Sequence, residues 1–258
     1  MSENVHPRAD ELDDLSAREF LEVMHAEDLR AVHAIAPHLE EIGEVVEQVA
    51  ARLRAGGRLH YFGAGTSGMI ARLDAAECPP TFGIADDVVQ AHFVEDAADE
   101  DDASLGREHA ASLSAGDVAV AISASGKTNY ARAALEQASA TRALTVAITS
   151  NPGSTLGKVA DLAVEVATGP EVIAGSTRLK AGTVQKLVLN MLSTAVFTRL
   201  GRTHRGRMVG VVAGNAKLRE RAAQIVADLT GVSLEEAQAR LDDAGGDIRA
   251  VLGRARVS

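Results

Sequence analysis

From Arg58 onward, short apolar runs alternate with longer segments whose apolar residues recur at helical spacing. The runs Leu59–Phe62, Val88–Val94, Val118–Ile122, Leu144–Ile148 and Leu162–Val166 read as strands. Between and after them, Gly68–Ala76, Ser104–Ser112, Asn129–Ala138 and Thr183–Leu200 read as helices. Strands apolar on both faces, separated by helices, predict an α/β fold with a doubly wound parallel sheet. Before this region, Met1 to Asp14 is polar and reads as an arm. Ser16 and Glu19 then form a capping box ahead of Phe20, Val23 and Met24. A longer helix is expected from Ala31 to Arg54, closed by Gly56-Gly57. Beyond Gly201 the strand signals stop. Arg202 to Gly206 reads as a basic linker, followed by helices over Asn215–Leu229, after Ser233, and over Ile248–Leu252. The expected division is therefore 1–48 for the arm and helices, 49–202 for the α/β domain and 203–258 for a small helical region.

In a parallel sheet the ligand sits beyond the strand C-termini, where the loops converge. The loop after the first strand, Gly63-Ala-Gly-Thr-Ser-Gly68, opens onto a helix N-terminus, whose free N–H groups and partial positive charge suit an anion. It matches the G-x-G-x-x-G dinucleotide pattern, a match that a glycine-rich turn with no ligand also satisfies. The loops after the third and fourth strands are Ser123-Ala-Ser-Gly-Lys-Thr128 and Thr149-Ser-Asn-Pro-Gly-Ser154. Three hydroxyl-rich loops at one sheet end favour a phosphorylated, polyhydroxylated ligand over a dinucleotide, with Glu95 left as a possible ribose partner. Gly65, Thr66, Ser67, Ser123, Ser125, Thr128 and Asn151 are the candidate ligand contacts. Ser176, Arg178 and Lys180 precede the last long helix. They read either as solvated helix-start residues or as a basic cap over an anion.

Composition narrows the partners. The net charge of −10, the 3% aromatic content and the absence of Trp argue against a nucleic acid. A single cysteine, Cys78, excludes an internal disulfide or a cysteine-based zinc site. No N-terminal signal pattern appears and no apolar run approaches the ~20 residues that span a membrane, so a cytoplasmic protein is expected.

Longer motifs carry a resemblance. Leu15-Ser-Ala-Arg-Glu19, Ala26-Glu-Asp28, the first glycine loop, Leu73-Asp-Ala-Ala-Glu-Cys-Pro-Pro-Thr-Phe-Gly83, the Ser123–Thr128 loop, Ser150–Ser154, Gly175–Thr183 and Gln185–Thr194 stand in the order found in bacterial N-acetylmuramic acid 6-phosphate etherases. The chain closely resembles that family over nearly its whole length. The resemblance implies a sugar isomerase (SIS) fold and a homodimer with a shared pocket. It also implies cleavage of a lactyl ether by elimination and hydration, without metal or nucleotide cofactor. It makes Glu77 the proton donor, and Glu77 beside Cys78-Pro79-Pro80 is expected on a rigid, partly desolvated turn. An elimination needs a base for the C2 proton as well as an acid for the ether oxygen.

The base is where this sequence departs from the family's Glu-Gly-Ala-Glu-Asp run. Here the region reads Val94-Glu-Asp-Ala-Ala-Asp-Glu100-Asp-Asp102. Alignment on Glu-Asp-Asp makes Glu100 the base, counting from Ser125 lands on Ala98 beside Asp99, and Glu95 matches the first Glu. Glu100 is the expected base, with Glu95 the alternative. Two other classes stay open. One is a non-catalytic regulatory protein that binds a phosphosugar, and the other is an aldose–ketose phosphosugar isomerase.

Overall fold

Apolar runs buried on both faces build the centre of the molecule. A computed structural model describes residues 4–210 and 216–255. Five parallel strands, β1 (Leu59–Ala64), β2 (Val89–Val94), β3 (Val118–Ser123), β4 (Leu144–Thr149) and β5 (Leu162–Glu165), pair in the order β2-β1-β3-β4-β5. Leu59 stands beside Val89 on one side and Val118 on the other, and Val118 stands beside Leu144. Every residue of β1, β3 and β4 is buried. This order reverses direction between β1 and β3, and such a switch point opens a crevice at the strand C-termini.

The helices between these strands are α4 (Gly65–Phe82), α5 (Ala97–Glu100), α6 (Ala103–Ala110), α7 (Asn129–Ala140) and α8 (Thr155–Val159), with α9 (Lys180–Arg199) following β5. Ahead of the sheet come α1 (Ala9–Leu12), α2 (Ala17–His33) and α3 (Leu39–Arg54). Ser16 caps α2 with both halves of the expected box in place. The single helix expected over 31–54 is broken by a 3₁₀ turn, Ala36–His38, because Pro37 offers no N–H and disfavours helix in the residue before it. The expected polar arm also differs. From Asn4 on it holds α1, with His6 and Leu12 buried.

Contacts divide the described chain into two units, 1–75 with 87–194 and 76–86 with 195–258. The helices read as a separate 1–48 segment belong to the first unit, because Leu12 and Val23 pack with Val172 and Glu27 pairs with Lys180. In the second unit Phe82 stacks on Phe197 at 4.8 Å. The stretch read as a basic linker carries a hairpin, β6 (Thr203–His204) and β7 (Arg207–Met208). Arg205 and Gly206 both have positive φ, as a tight two-residue turn requires. The helices α10 (Ala216–Thr230), α11 (Leu234–Asp243) and α12 (Ile248–Ala255) enclose Val226, Ala237, Leu241 and Ile248. Asn215, the expected start of α10, and Met1 to Glu3 lie outside the described residues.

The first unit also carries a stack of histidines. His60 on β1 stacks on His92 of β2 with ring centroids 5.3 Å apart and a 3.0 Å contact from Nδ1 to Nε2. His92 in turn lies 6.0 Å from His109 on α6, whose Nδ1 meets the Tyr130 hydroxyl at 2.8 Å. Burial, and then the neighbouring His60 and His109, hold His92 down at about 4, and burial lowers His60. Both histidines thus bind fewer protons when folded. Stability is full above the unfolded value of ~6.5 and is lost as pH falls from there toward 4, by at most about 1.4 kcal/mol per pH unit for each ring. His92→Leu should flatten the fall in melting temperature over that window; an unaltered profile would place the acid sensitivity elsewhere.

Candidate active site

Gly65 takes a φ of +52° at the point where β1 ends and α4 begins. The expected loop is therefore largely the first turn of α4, which starts three residues earlier than the apolar spacing suggests. The N–H groups that a first helical turn leaves unpaired stand here at the end of β1, with Thr66 and buried Ser67 in the same turn. Gly68 explains the third glycine of the pattern. A Cβ there would lie 2.6 Å from Cβ of Phe93 and 2.8 Å from the Gly63 carbonyl oxygen, so the motif is satisfied by close packing of α4 on β1 and β2. Sheet order agrees with this, since it is not the 3-2-1-4-5-6 order of the dinucleotide fold.

β3 is next to β1, so the Ser123–Thr128 loop stands beside this helix start. Ser123 Oγ accepts from the Gly126 N–H at 3.0 Å and meets Thr128 Oγ1 at 2.8 Å. Ser125 Oγ accepts from the Lys127 N–H at 3.2 Å. After β4, buried Asn151 donates Nδ2 to the Ala124 carbonyl at 3.0 Å, tying the fourth loop to the third. Glu165 at the end of β5 accepts from the Gly153 and Ser154 N–H groups and from Ser154 Oγ, which fixes the same loop from below. Hydroxyls and amides thus converge at the β1/β3 switch point.

Among the acids of 95–102, Glu100 reaches this place. A Cβ built on Gly65 would sit 3.0 Å from Glu100 Oε1, so the carboxylate leans over the start of α4. Asp102 is already occupied as the N-cap of α6, accepting from the Ser104 N–H at 2.7 Å and from its hydroxyl. Glu95 and Ala98 are exposed, and Asp99 is half-buried on α5. Glu77 is not on the expected desolvated turn. It is exposed within α4, in the second unit, because Pro79 and Pro80 have φ values compatible with a helix and simply form its last turn.

Lys180 also departs from expectation. It is 3% exposed, and Nζ donates to Glu27 Oε2 at 2.5 Å, so its charge is spent inside the protein. Burial pushes the Glu27 carboxyl up, yet hydrogen bonds from Lys180 and His6 and the charges of Lys180 and Arg30 outweigh it and leave Glu27 below the usual carboxylate range. Arg30 also pairs with Glu27 from the surface. Glu171, fully buried, caps α9 by accepting from the Lys180 N–H at 2.9 Å and the Ala181 N–H at 3.0 Å. Ser176 is half-buried and Arg178 exposed in the segment between. The first turn of α9 closes on the first loop: a Cβ on Gly182 would lie 3.6 Å from Thr66 Cγ2. Behind the site, buried Asp74 of α4 accepts from Tyr61 at 2.9 Å, Asn190 at 2.7 Å and Ser193 at 3.1 Å. Burial raises its carboxyl and these bonds oppose that rise. Glu27, Glu171 and Asp74 escaped sequence reasoning because each partner lies far along the chain or in a stretch without periodicity.

Similarities to known proteins point the same way. A SIS domain model matches residues 95–195, and a model described as the second SIS domain of glucokinase regulatory protein matches residues 36–120. The chain is 48% identical over 250 residues to an N-acetylmuramic acid 6-phosphate etherase of Thermobifida fusca, covering 94% of this chain and 82% of that protein. It is 44% identical to the etherase of Geobacillus thermodenitrificans, covering 97% and 88%. Among solved structures, a phosphoheptose isomerase from Neisseria gonorrhoeae has a TM-score of 0.55 at 21% identity, covering 71% of this chain and 100% of that one. The Vibrio vulnificus NanR protein complexed with ManNAc-6P has a TM-score of 0.52 at 19% identity, covering 86% and 74%. At these identities the structures bear on the fold alone.

Proposed function

We propose that this chain, which belongs to the N-acetylmuramic acid 6-phosphate etherase family, cleaves the lactyl ether of that sugar phosphate in the recycling of cell-wall sugar. The products are N-acetylglucosamine 6-phosphate and D-lactate. The close identity to etherases over most of both chains carries this reading. In it, the N–H groups of the α4 start with Thr66 and Ser67, and the Ser123, Ser125 and Thr128 hydroxyls, hold the phosphate. Asn151 holds the loops together, and Ser176 and Arg178 border the sugar from the α9 side. Glu100 removes the C2 proton; the electron pair forms the C2–C3 double bond as the C3–O bond breaks, and Glu77 protonates the departing lactate oxygen. Water then adds back across the double bond.

The position of Glu100 beside Gly65 supports it as the base over Glu95. Met69, at 54% exposure, Leu73, at 55%, and Glu77 recur every fourth residue on one face of α4. This supports a homodimer in which a second copy covers that face and takes Glu77 out of water. No helix among the described residues is long and apolar enough to cross a membrane, in keeping with work in the cytoplasm.

The test is D-lactate release from N-acetylmuramic acid 6-phosphate by the wild type and by Glu100→Gln. Release that falls by about 10²–10⁴-fold in the variant is the expected result. Release that survives the substitution moves the base to Glu95 or Asp99. A wild type that binds the phosphosugar and releases nothing would be a binding protein, the class suggested by the second model match.

A further inference from the structure

We infer that Arg72 is the seat of the substrate's lactyl carboxylate and so decides between sugar phosphates with and without that acid; the inference rests on the etherase reading. Arg72 stands on the exposed side of α4, one turn past Gly68. Its side chain leans back toward the helix start, as helical side chains do. The guanidinium lies over the Phe93 ring, 5.3 Å from its centroid. Phe93 pairs with Gly63 in the sheet and touches the place where a Gly68 Cβ would be, so the guanidinium is held against the phosphate-binding turn itself.

Arg72 has no carboxylate partner among the described residues. Stacking on an aromatic face orients the cation but leaves its N–H edge free for an anion. Among the other cations near the site, Lys180 is consumed by Glu27. Lys127 rides on the β3 loop beside the phosphate hydroxyls, and Arg178 sits in the segment before α9. The chemistry selects between them. The lactyl carboxylate is attached through one carbon to the ether oxygen, and that oxygen leaves from the carbon next to the one Glu100 deprotonates. A carboxylate so placed stays within a few bonds of the carbon that meets Glu100. β2 runs to that base: Phe93 is followed by Glu95 and then by α5, which carries Glu100. Arg72 is the cation fixed to β2, and its fork can take a carboxylate through two parallel hydrogen bonds.

The experiment compares two ligands by calorimetry, N-acetylmuramic acid 6-phosphate and N-acetylglucosamine 6-phosphate, in a Glu77→Gln background that preserves the substrate. Arg72→Gln should weaken the acid-bearing ligand at least tenfold and leave the other unchanged. Arg72→Lys should fall between, keeping the charge without the fork, and Phe93→Leu should cause a smaller loss with the same ligand preference. Equal losses for both ligands, or no loss for either, would overturn the assignment. Lactate release by the wild type is read separately. A wild type that binds the acid-bearing ligand more tightly through Arg72 but releases no lactate sinks the etherase reading and leaves the carboxylate seat standing.

Discussion

Glu77→Gln is expected to abolish D-lactate release while the phosphosugar still binds. The lactate oxygen leaves as an alkoxide unless a proton reaches it as the C3–O bond breaks, and an amide has no proton of suitable acidity to give. General acids of this kind contribute about 10²–10⁴-fold, so a loss of that size is expected. Binding should persist because the donors proposed for the phosphate lie on the α4 start and the β3 loop, apart from this side chain. The exposure of Glu77 in a single chain sharpens the prediction. In the proposed dimer a second copy has to cover this side chain and exclude water from the departing oxygen. Activity per chain should therefore fall on dilution below the concentration at which copies associate. Near-normal turnover by Glu77→Gln would remove it from the mechanism, whatever the oligomeric state.

The second large effect concerns stability. Lys180→Met should destabilise the fold by about 3–5 kcal/mol, because it leaves the Glu27 carboxylate buried with only His6 and surface Arg30 to balance it. For a chain of this size that is a drop of roughly 6–20 °C in melting temperature. The double variant Glu27→Leu/Lys180→Met should recover most of it, since a buried ion pair replaced by apolar groups is often neutral. The reading of Lys180 as a basic cap over the ligand makes the opposite forecast. It predicts weaker phosphosugar binding at unchanged melting temperature, and thermal unfolding with calorimetry separates the two.

The strands and most helices were legible because burial on both faces leaves continuous apolar runs such as Val118–Ile122, and helical spacing marks stretches such as Asn129–Ala138. The three hydroxyl loops were legible for a related reason: their residues follow those runs directly. What stayed hidden depends on distance or on very small signals. Glu27 and Lys180 are 153 positions apart, and nothing local in either segment reports the other. β6 and β7 are two residues each, shorter than any alternation can reveal. The identity of the acid near Gly65 was ambiguous because Glu95, Asp99 and Glu100 share one run, and only the turn of α5 decides which of them leans over the loop. Pro37 was visible, yet the apolar spacing on either side of it masked the break.

The hydroxyl crown after β3 already bonds to itself, with Ser123 Oγ receiving Gly126 and meeting Thr128. On the proposed reading a phosphate arriving there would find rotors that are already ordered, so little conformational entropy would be left to lose on capture. Each contact it gains is exchanged for one the loop gives up, which keeps the net enthalpy small. Such an exchange would suit an enzyme whose product carries the same phosphate as its substrate and has to leave before the next turnover.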